Sequence, residues 1–220
     1  IRGSVAGSGT AFEGEELWMP AVAREYIIDP EDRARSELYD FLGLVLAGPA
    51  DAALLRQIAG LKGDETPLGN ALNVLAKVAS ITVPETAERE FNALFIGLGR
   101  GELLPYASYY LTGFLNEKPL AKLRQDMAER GIERAEGRRE PEDNIASLME
   151  MMGGMIVGRF GKVTSLAGQK TFFNTHIEPW AVHFFTDLEA SETSAFYGAV
   201  GSLGRRFMEI EAEGFDMLAH

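Results

Sequence analysis

Apolar residues recur at spacings of three and four along most of the chain, and this periodicity is typical of amphipathic α-helices. The first such stripe follows Asp29 and Pro30, which favour a helix start because aspartate caps a helix and proline fits its first turn. A further start is predicted at Thr66, and Gly131 predicts a helix end. Ser165 begins a stretch that changes from polar to aromatic residues. No segment alternates convincingly between polar and apolar residues. We therefore predict an all-α fold, formed by a single helical bundle domain.

Two other helix starts are predicted from side-chain caps. Thr82 and Glu85 predict a capping box with Pro84 between them. Ser191 is predicted to cap the last helix, whose apolar residues follow at spacings of four, three, four and three. Those apolar residues are Phe196, Val200, Leu203, Phe207 and Ile210.

The most charged segment of the protein, residues 131–141, leads into one of its most apolar helices. Pro141 is expected in the first turn of that helix, where its missing N–H costs nothing. Glu142 and Asp143 would then lie where the helix dipole favours negative charge. A charged loop would thus bring Asp143 and Asn144 to the mouth of a buried helix. This arrangement suits a binding site, although an ordinary helix start has the same local pattern.

The domain boundaries are predicted from composition. Residues 1–28 are expected to form a flexible leader and N-terminal extension, because residues 1–10 are rich in glycine and serine and lack a signal peptide's apolar core. Residues 29–214 are predicted to form the all-helical domain. The charged loop at residues 131–141 is interpreted as part of that domain rather than as a linker between two domains.

Composition narrows the functional classes. The chain has 220 residues, of which 46% are hydrophobic, so it can bury a substantial core. Its formal net charge of -12 argues against nucleic acid and anionic membrane as main partners and would attract a cationic peptide. No apolar run approaches the ~20 residues that span a bilayer, so membrane insertion is not expected. The lack of cysteine excludes disulfides, thiol nucleophiles and cysteine-ligated metals, and it fits a reducing cytoplasm.

Motifs for catalysis or metal binding are weak. The segment 168–171 resembles the end of a phosphate-binding loop, but a glutamine separates its glycine from its lysine and no strand precedes it. His176 and His183 lie seven residues apart, but Pro179 predicts a helix break between them and no third ligand is evident. We therefore expect His176 to be a surface or capping residue. We expect no catalytic residue, no metal site and no cofactor.

Aromatic residues concentrate on both sides of the glycine-rich turn at residues 97–101. Two interpretations stay open for them, a core cluster on one helix face and a binding surface around a non-helical turn. The methionines of the helix after residue 144 allow the same two interpretations, because flexible methionines also line grooves for apolar helices. The residues concerned are Phe91, Leu94, Phe95, Pro105, Tyr106, Tyr109, Tyr110, Met149, Met151, Met152 and Met155.

Taken in order, these motifs resemble those of the TorD/DmsD-type chaperones for molybdenum-cofactor enzymes, also called redox enzyme maturation proteins. The resemblance covers the chain from about Ser36 to Phe207. The family's E-P-x-D-H motif is matched by residues 140–144, with Asn144 in place of the usual histidine. Asparagine still forms hydrogen bonds but cannot be protonated. The other matching segments are Glu90-Phe91, Leu94-Phe95-Ile96-Gly97, Leu104-Pro105-Tyr106-Ala107-Ser108-Tyr109-Tyr110, Glu150-Met151-Met152, Gln169, Phe172-Phe173, His176-Ile177, Pro179-Trp180 and Phe196-Tyr197.

The resemblance implies an all-helical single domain, in some members a domain-swapped homodimer, that works in the cytoplasm. Such chaperones bind the twin-arginine signal peptide and the apo form, including the catalytic subunit, of a molybdopterin oxidoreductase. They assist cofactor insertion and delay export of the enzyme. The signal-peptide-binding residues that the resemblance implies are Phe91, Leu94, Phe95, Pro105, Tyr106, Ser108, Tyr109, Glu140, Pro141, Asp143 and Asn144.

We expect the two halves of such a peptide to be held differently. The carboxylates at residues 140–143 are expected to be exposed and to attract the basic n-region, mainly by speeding and orienting encounter. Leu94, Phe95 and Tyr106 are expected to hold the apolar h-region, which is the larger source of affinity.

Two other functions stay open. A small-molecule or nucleotide-dependent hydrolase could use the carboxylates of Glu142, Asp143 or Glu150 near the helix start, since paired carboxylates can do acid–base catalysis. The chain could equally be a structural helical adaptor. Turnover assays separate the enzyme from the other two, and binding to a twin-arginine peptide separates the chaperone from the adaptor.

Overall fold

The computed structural model describes residues 28–97, 101–134, 137 and 140–218. Its helices are α1 (Pro30–Leu46), α2 (Ala52–Ala59), α3 (Pro67–Ile81), α4 (Pro84–Phe91), α5 (Ala107–Thr112), α6 (Lys118–Arg130), α7 (Ile145–Val157), α8 (Leu166–Phe172), α9 (Glu178–Ala190) and α10 (Ala195–Met217). Two π-helical turns, Asn92–Ile96 and Phe173–Ile177, extend α4 and join α8 to α9. The described residues contain no strand, which confirms the predicted all-α fold.

Three helix ends lie where the sequence predicts them. Asp29 caps α1 by accepting a hydrogen bond from the N–H of Glu31 at 2.9 Å. Thr66 caps α3 by accepting a hydrogen bond from the N–H of Gly69 at 3.0 Å. Gly131 ends α6. Local cap chemistry was sufficient at these positions.

The predicted start of α7 is wrong. The helix begins at Ile145, and Pro141 lies in the turn that precedes it. Asn144 is the cap, because its side-chain oxygen accepts a hydrogen bond from the N–H of Ala146 at 2.9 Å. Asparagine is among the best helix caps, so the residue that replaces the family histidine has a structural role of its own.

Two further caps differ from the prediction. Thr82 ends α3 and donates its hydroxyl to the carbonyl oxygen of Val78 at 2.8 Å, so it forms no capping box. Ser191 ends α9, and α10 is capped by Ser194 instead. The Ser194 hydroxyl also donates to the carboxylate of Glu90 on α4 at 2.5 Å. A residue distant in sequence therefore helps to fix the start of α10.

Helix α7 packs against α1 with their backbones close together. Leu148, Met149 and Met152 of α7 are fully buried. Gly153 permits the close approach, since a Cβ atom there would lie 3.1 Å from the carbonyl oxygen of Ser36. The Ser36 hydroxyl donates a hydrogen bond to the carbonyl of Gly153 at 2.9 Å. Met149, Met152 and Met155 belong to the core, so the groove interpretation is wrong for these three. Met151 is buried as well, but it also lines a pocket between α1 and α7.

A helix is predicted to begin at Pro179 and Trp180, and α9 does begin there, with Pro179 in its first turn. The expected break before it is not a loop, because the π-helical turn Phe173–Ile177 joins α8 to α9 in one continuous helical run. Proline lacks the N–H that would bond to the preceding turn, and a π-helical turn is a common local adjustment. The indole N–H of Trp180 donates to the carbonyl of His176 at 2.8 Å across this junction. The run therefore carries buried residues continuously from α8 into α9.

A buried polar network around Arg35 links α1, α8 and α10. Arg35 donates hydrogen bonds to both carboxylate oxygens of Glu211 at 2.8 Å and to the side-chain oxygen of Gln169 at 3.2 Å. The Tyr39 hydroxyl donates to Glu211 at 3.0 Å. Burial, and then the negative charge of Glu211, raise the pKa of Tyr39 well above its ordinary value. Since each charged group has a partner, burial of the network is tolerated.

Some predictions fall outside the described part of the chain. The predicted leader lies there except for Ile28, as do residues 135, 136, 138 and 139 of the charged loop. The division into a leader and a domain at 29–214 stays a prediction. None of the described helices combines the length and the hydropathy needed to cross a bilayer.

Candidate functional site

Two segments meet through their backbones: residues 104–110, called the aromatic turn, and residues 140–144, called the acidic motif. The N–H of Ala107 donates to the carbonyl of Asp143 at 3.0 Å, and the N–H of Ile145 donates to the carbonyl of Pro105 at 2.9 Å. Between these bonds, Tyr106 stands opposite Asn144 in an isolated antiparallel bridge. The predicted proximity of Tyr106 and Asp143 is confirmed.

The carboxyl group of Asp143 is buried at this junction, with 1% of the residue exposed. Its Oδ2 accepts a hydrogen bond from the N–H of Ser108 at 2.8 Å. This bond caps α5, whose own N-cap residue, Tyr106, donates or accepts no side-chain hydrogen bond with the helix backbone. Asp143 Oδ1 and the Ser108 hydroxyl have no hydrogen-bond partner among the described residues. The expectation that Asp143 presents an exposed charge is wrong, because helix α5 uses that carboxyl group as its cap.

Glu142 is also buried, and two arginines of the same chain neutralise its charge. Its carboxylate pairs with Arg124 at 2.9 Å and with Arg134 at 3.6 Å. The predicted exposure of Glu142 is therefore wrong. Glu140 is exposed, and its carboxylate has no cationic partner within the part of the chain that the structure describes. Of the acidic residues in the motif, Glu140 is the one available to a ligand.

Tyr106 is half-buried beside Glu140. Burial raises the pKa of Tyr106, the charge of Glu140 raises it further, and a hydrogen bond with the Asn144 side chain lowers it. Tyr109 and Pro141 are also partly exposed, so they can contact a ligand. This surface consists of an aromatic ring, a proline and an exposed carboxylate. Such groups suit an arginine side chain, which stacks on rings and donates to carboxylates.

The aromatic residues before the glycine-rich turn lie mainly in the core. Phe91 contacts Phe95 and Tyr197 with ring centroids 4.9 and 5.6 Å apart, and Leu94 is fully buried. The core interpretation is thus confirmed for Phe91 and Leu94, and Leu94 cannot contact an h-region in this conformation. Phe95 is half-buried and packs 6.5 Å from the ring of Phe184. Pro105 and Ser108 are buried as well.

Two pockets flank the junction. The lysine-rimmed pocket, of about 370 Å³, lies between α5, α6, α7 and the π-helical turn Phe173–Ile177. The acidic pocket, of about 490 Å³, lies between α1, α6, α7 and the charged loop. The lysine-rimmed pocket is lined by Ala107, Leu111, Thr112, Lys118, Pro119, Lys122, Leu123, Asp143, Leu148, Thr175 and His176. The acidic pocket is lined by Asp40, Leu44, Met127, Ile132, Glu133, Arg134, Glu140, Glu142, Ser147, Glu150, Met151, Arg159 and Phe160.

His176 lies in the wall of the lysine-rimmed pocket and is 5% exposed, so its interpretation as a surface or capping residue is wrong. Its Nε2 atom is 2.6 Å from Oδ2 of Asp126 on α6. Burial lowers the pKa of His176 by more than the hydrogen bond to Asp126 raises it. The imidazole is therefore a buried link between α6 and the π-helical turn. Its partner lies 50 residues away, which no local sequence pattern indicates.

Comparison with known proteins places the chain in a family. A family model described as "Nitrate reductase delta subunit" matches residues 61–186, more than half of the chain. The chain belongs to this family. "Chaperone protein TorD" of Aliivibrio fischeri is 28% identical over 200 residues, which cover 81% of this chain and 93% of that protein. "Chaperone protein TorD" of Vibrio atlanticus is 28% identical over 170 residues, which cover 71% and 78%.

A solved structure shares the fold. It is a putative redox enzyme maturation protein from Archaeoglobus fulgidus, with a TM-score of 0.53 and 20% sequence identity. The match covers 80% of this chain and 93% of that chain. Together with the family assignment, it confirms the resemblance to the TorD/DmsD-type family.

In this family member the E-P-x-D-H-like motif is largely structural. Glu142 binds two arginines of the same chain, Asp143 caps α5 and Asn144 caps α7. Glu140 alone of these four side chains faces solvent. The motif therefore holds the aromatic turn against α7 and presents, beside Tyr106, one exposed carboxylate without a cationic partner in the described part of the chain.

Proposed function

We propose that this chain is a cytoplasmic chaperone that binds the twin-arginine signal peptide and the apo form of a molybdopterin oxidoreductase. It assists cofactor insertion and delays export, and it catalyses no reaction itself. Similarity to TorD chaperones over 81% of the chain supports the chaperone role. The observation that carries peptide binding is the exposed carboxylate of Glu140, which has no cationic partner among the described residues and lies beside the half-buried ring of Tyr106, at the edge of the acidic pocket.

The acidic pocket provides both kinds of contact that such a peptide needs. Glu133 and Glu140 are exposed on its rim, and a carboxylate can accept two parallel hydrogen bonds from a guanidinium group. Leu44, which is 56% exposed, and the neighbouring Phe160 provide apolar surface for the h-region. The basic n-region and the apolar h-region are adjacent in a signal peptide, so one pocket with both features can bind them together.

Contacts within the chain support the choice of this pocket. Glu142 already binds the guanidinium groups of Arg124 and Arg134. The net charge of -12 attracts a cationic peptide from a distance. Glu140 would accept the incoming arginine because it has no cationic partner among the described residues.

Apart from Phe95, which is half-buried against Phe91 and Phe184, the residues predicted for the site divide into two groups. Tyr106, Tyr109, Glu140 and Pro141 are partly or fully exposed and would contact the peptide. The buried residues would hold that surface in place, and they are Phe91, Leu94, Pro105, Ser108, Asp143 and Asn144.

Calorimetric titration with a synthetic twin-arginine signal peptide tests the proposal. Glu140→Gln and Leu44→Ser should each weaken binding, whereas Glu88→Gln removes the same charge from an exposed position on α4 and should not. A peptide with lysine in place of both arginines should bind more weakly, because a lysine ammonium group cannot form a bidentate hydrogen-bonded pair with a carboxylate. If both pocket variants bind the peptide as tightly as the wild type does, the peptide binds at another site. If the wild type binds no peptide, the proposal is rejected.

The alternative functions are less well supported by the geometry. The carboxylates of Glu142 and Asp143 are engaged in ion pairs and a helix cap, which leaves them poorly placed for acid–base catalysis. Turnover of nucleotides or simple esters, lost in Glu150→Gln, would favour the hydrolase. A chain that binds partners but no twin-arginine peptide would favour the structural adaptor.

A further inference from the structure

The lysine-rimmed pocket has mainly apolar walls and is small. Its volume of about 370 Å³ lies near the lower end of the ~300–1,000 Å³ range of ligand pockets, which suits one large side chain better than a helix. Leu111, Leu123 and Leu148 form much of the wall. Asp143 lies in the same wall, although it is surrounded largely by apolar groups.

One carboxylate oxygen of Asp143 is buried without a hydrogen-bond donor among the described residues. Oδ2 accepts the N–H of Ser108, but Oδ1 accepts no hydrogen bond from any described residue. A buried acceptor without a donor is unfavourable, because it has lost water and gained nothing in exchange. Oδ1 is covered in this structure, so a ligand in the pocket that carries a hydrogen-bond donor gains this acceptor once the side chains of the wall shift slightly to uncover it.

The mouth of the pocket is positively charged. Lys118 and Lys122 are exposed and lie one turn apart on α6. Neither has a carboxylate within 4.0 Å in the described part of the chain. In a protein with a net charge of -12, two such lysines at one pocket make a local site for carboxylates.

Apolar side chains extend the pocket outwards. Leu111, Phe114 and Leu115 are 42%, 69% and 41% exposed. They lie in and after the last turn of α5, on the segment that leads to Lys118 of α6. Leu111 and Lys118 both line the pocket, so this apolar segment adjoins its mouth. Exposed apolar groups beside a pocket are typical of interaction sites.

We infer that the lysine-rimmed pocket binds a tryptophan or tyrosine side chain of a partner protein, flanked in that protein by aspartate or glutamate. The ring fills the apolar space, and its N–H or O–H donates to Oδ1 of Asp143 after a small shift of the side chains that cover this oxygen. The flanking carboxylates pair with Lys118 and Lys122. The two lysines disfavour an arginine at the same mouth. The inference does not depend on signal-peptide binding, which is assigned to the acidic pocket.

Four capped tripeptides test this chemistry: N-acetyl-Glu-Trp-Glu-amide and the analogues Glu-Phe-Glu, Lys-Trp-Lys and Glu-Arg-Glu. Each is titrated into ¹⁵N-labelled full chain while amide chemical shifts are followed. Glu-Trp-Glu should shift the amides of Ala107, Leu111, Lys122 and Thr175. At low salt it should bind about tenfold more tightly than Lys-Trp-Lys. The reason is that its glutamates form two exposed ion pairs with Lys118 and Lys122, whereas the lysines of Lys-Trp-Lys are repelled by them. It should bind about fivefold more tightly than Glu-Phe-Glu, which leaves Asp143 without a donor.

Variants on the surface test the lysines without disturbing the core. The double variant Lys118→Glu with Lys122→Glu should reverse the preference between Glu-Trp-Glu and Lys-Trp-Lys. The double variant Lys62→Glu with Lys77→Glu makes the same charge change at exposed positions elsewhere and should leave the preference intact. In Asp143→Asn, the amide oxygen can still cap α5, and the amide N–H₂ group then takes the place of Oδ1. Because this group donates hydrogen bonds and cannot accept one, the variant should lose the preference for tryptophan over phenylalanine.

Several outcomes would overturn the inference. These are absence of pocket shifts with Glu-Trp-Glu, equal binding of Lys-Trp-Lys, an unchanged preference in the Lys118→Glu and Lys122→Glu variant, and tighter binding of Glu-Arg-Glu. The last would assign the pocket to a cationic side chain. Glu140→Gln should leave Glu-Trp-Glu binding unchanged, so loss of signal-peptide binding and loss of tripeptide binding are separate results.

Discussion

Tyr106 and Asn144 stand opposite each other in an isolated antiparallel bridge, and this pairing joins the start of α5 to the start of α7. Next to it, the N–H of Ala107 donates to the carbonyl of Asp143 at 3.0 Å. Two segments without regular structure thus satisfy each other's backbone groups, which would otherwise be buried without partners. The candidate site is positioned by this backbone pairing, and its side chains then divide between helix caps and ligand contacts.

The cap that Asp143 provides to α5 should be measurable as stability. We expect Asp143→Ala to lower the free energy of unfolding by about 1–2 kcal/mol, because α5 loses its cap and the N–H of Ser108 loses its partner. Asp143→Asn should cost less, since the amide oxygen can still accept that hydrogen bond. Urea unfolding measures both, with the exposed Asp216→Ala as a control expected within about 0.5 kcal/mol of wild type. Equal stability of Asp143→Ala and wild type would contradict the cap.

Close packing of α9 and α10 predicts opposite effects for one substitution at two glycines of α10. A Cβ atom at Gly201 would lie 2.4 Å from the backbone nitrogen of Glu189, so Gly201→Ala must separate the helices. We expect it to destabilise the protein by about 1–3 kcal/mol. An added Cβ at Gly214 meets nothing within 4 Å, so Gly214→Ala should stabilise by up to about 1 kcal/mol through helix propensity. Thermal and urea unfolding should rank the three proteins in that order.

Burial of His176 predicts a pH dependence of stability. Its pKa in the folded protein is below the ordinary value of 6.5, so as pH falls through that value the unfolded chain binds a proton more readily than the folded protein. This histidine therefore stabilises the fold above pH 6.5 and loses that contribution as pH falls through its folded pKa. His176→Gln should remove this part of the pH dependence, whereas the exposed His183→Gln should retain it. Identical pH profiles for the two variants would contradict the assignment.

The features that the sequence predicts correctly depend on short-range chemistry. Asp29 and Thr66 cap the helices that immediately follow them, so their neighbours are enough to identify them. Ser194 was missed because Ser191 has the same local signal, and Glu90 from another helix reinforces the correct cap. Helical periodicity was sufficient for the all-α fold, since apolar spacing is a property of each segment alone.

The candidate site was predicted only in part, because burial is decided by distant partners. The proximity of Tyr106 and Asp143 could be predicted from the order of the family motifs. The burial of Asp143 could not, since it follows from a hydrogen bond with Ser108, 35 residues away. Lys118 and Lys122 resemble any charged pair on an exposed helix face, and the pocket beside them exists only once α5, α6 and α7 are packed.

The exposure of Glu140 and the partial burial of Tyr106 predict different kinetic roles for them in signal-peptide binding. Exposed ion pairs are worth only about 0.2–1 kcal/mol and act mainly on encounter. Glu140→Gln should therefore slow association at low salt, and the difference from wild type should shrink as salt screens the charge.

A desolvated aromatic contact acts mainly on dissociation, because it forms after encounter and must break before release. Loss of such an anchor costs about 2 kcal/mol, so Tyr106→Ala should speed dissociation by about 30-fold at every salt concentration. Stopped-flow measurements with a twin-arginine peptide over a salt series separate the two effects, and Glu88→Gln is the charge-matched control. If Glu140→Gln instead speeds dissociation equally at all salt concentrations while Tyr106→Ala changes nothing, then Glu140 is the desolvated anchor and Tyr106 lies outside the contact.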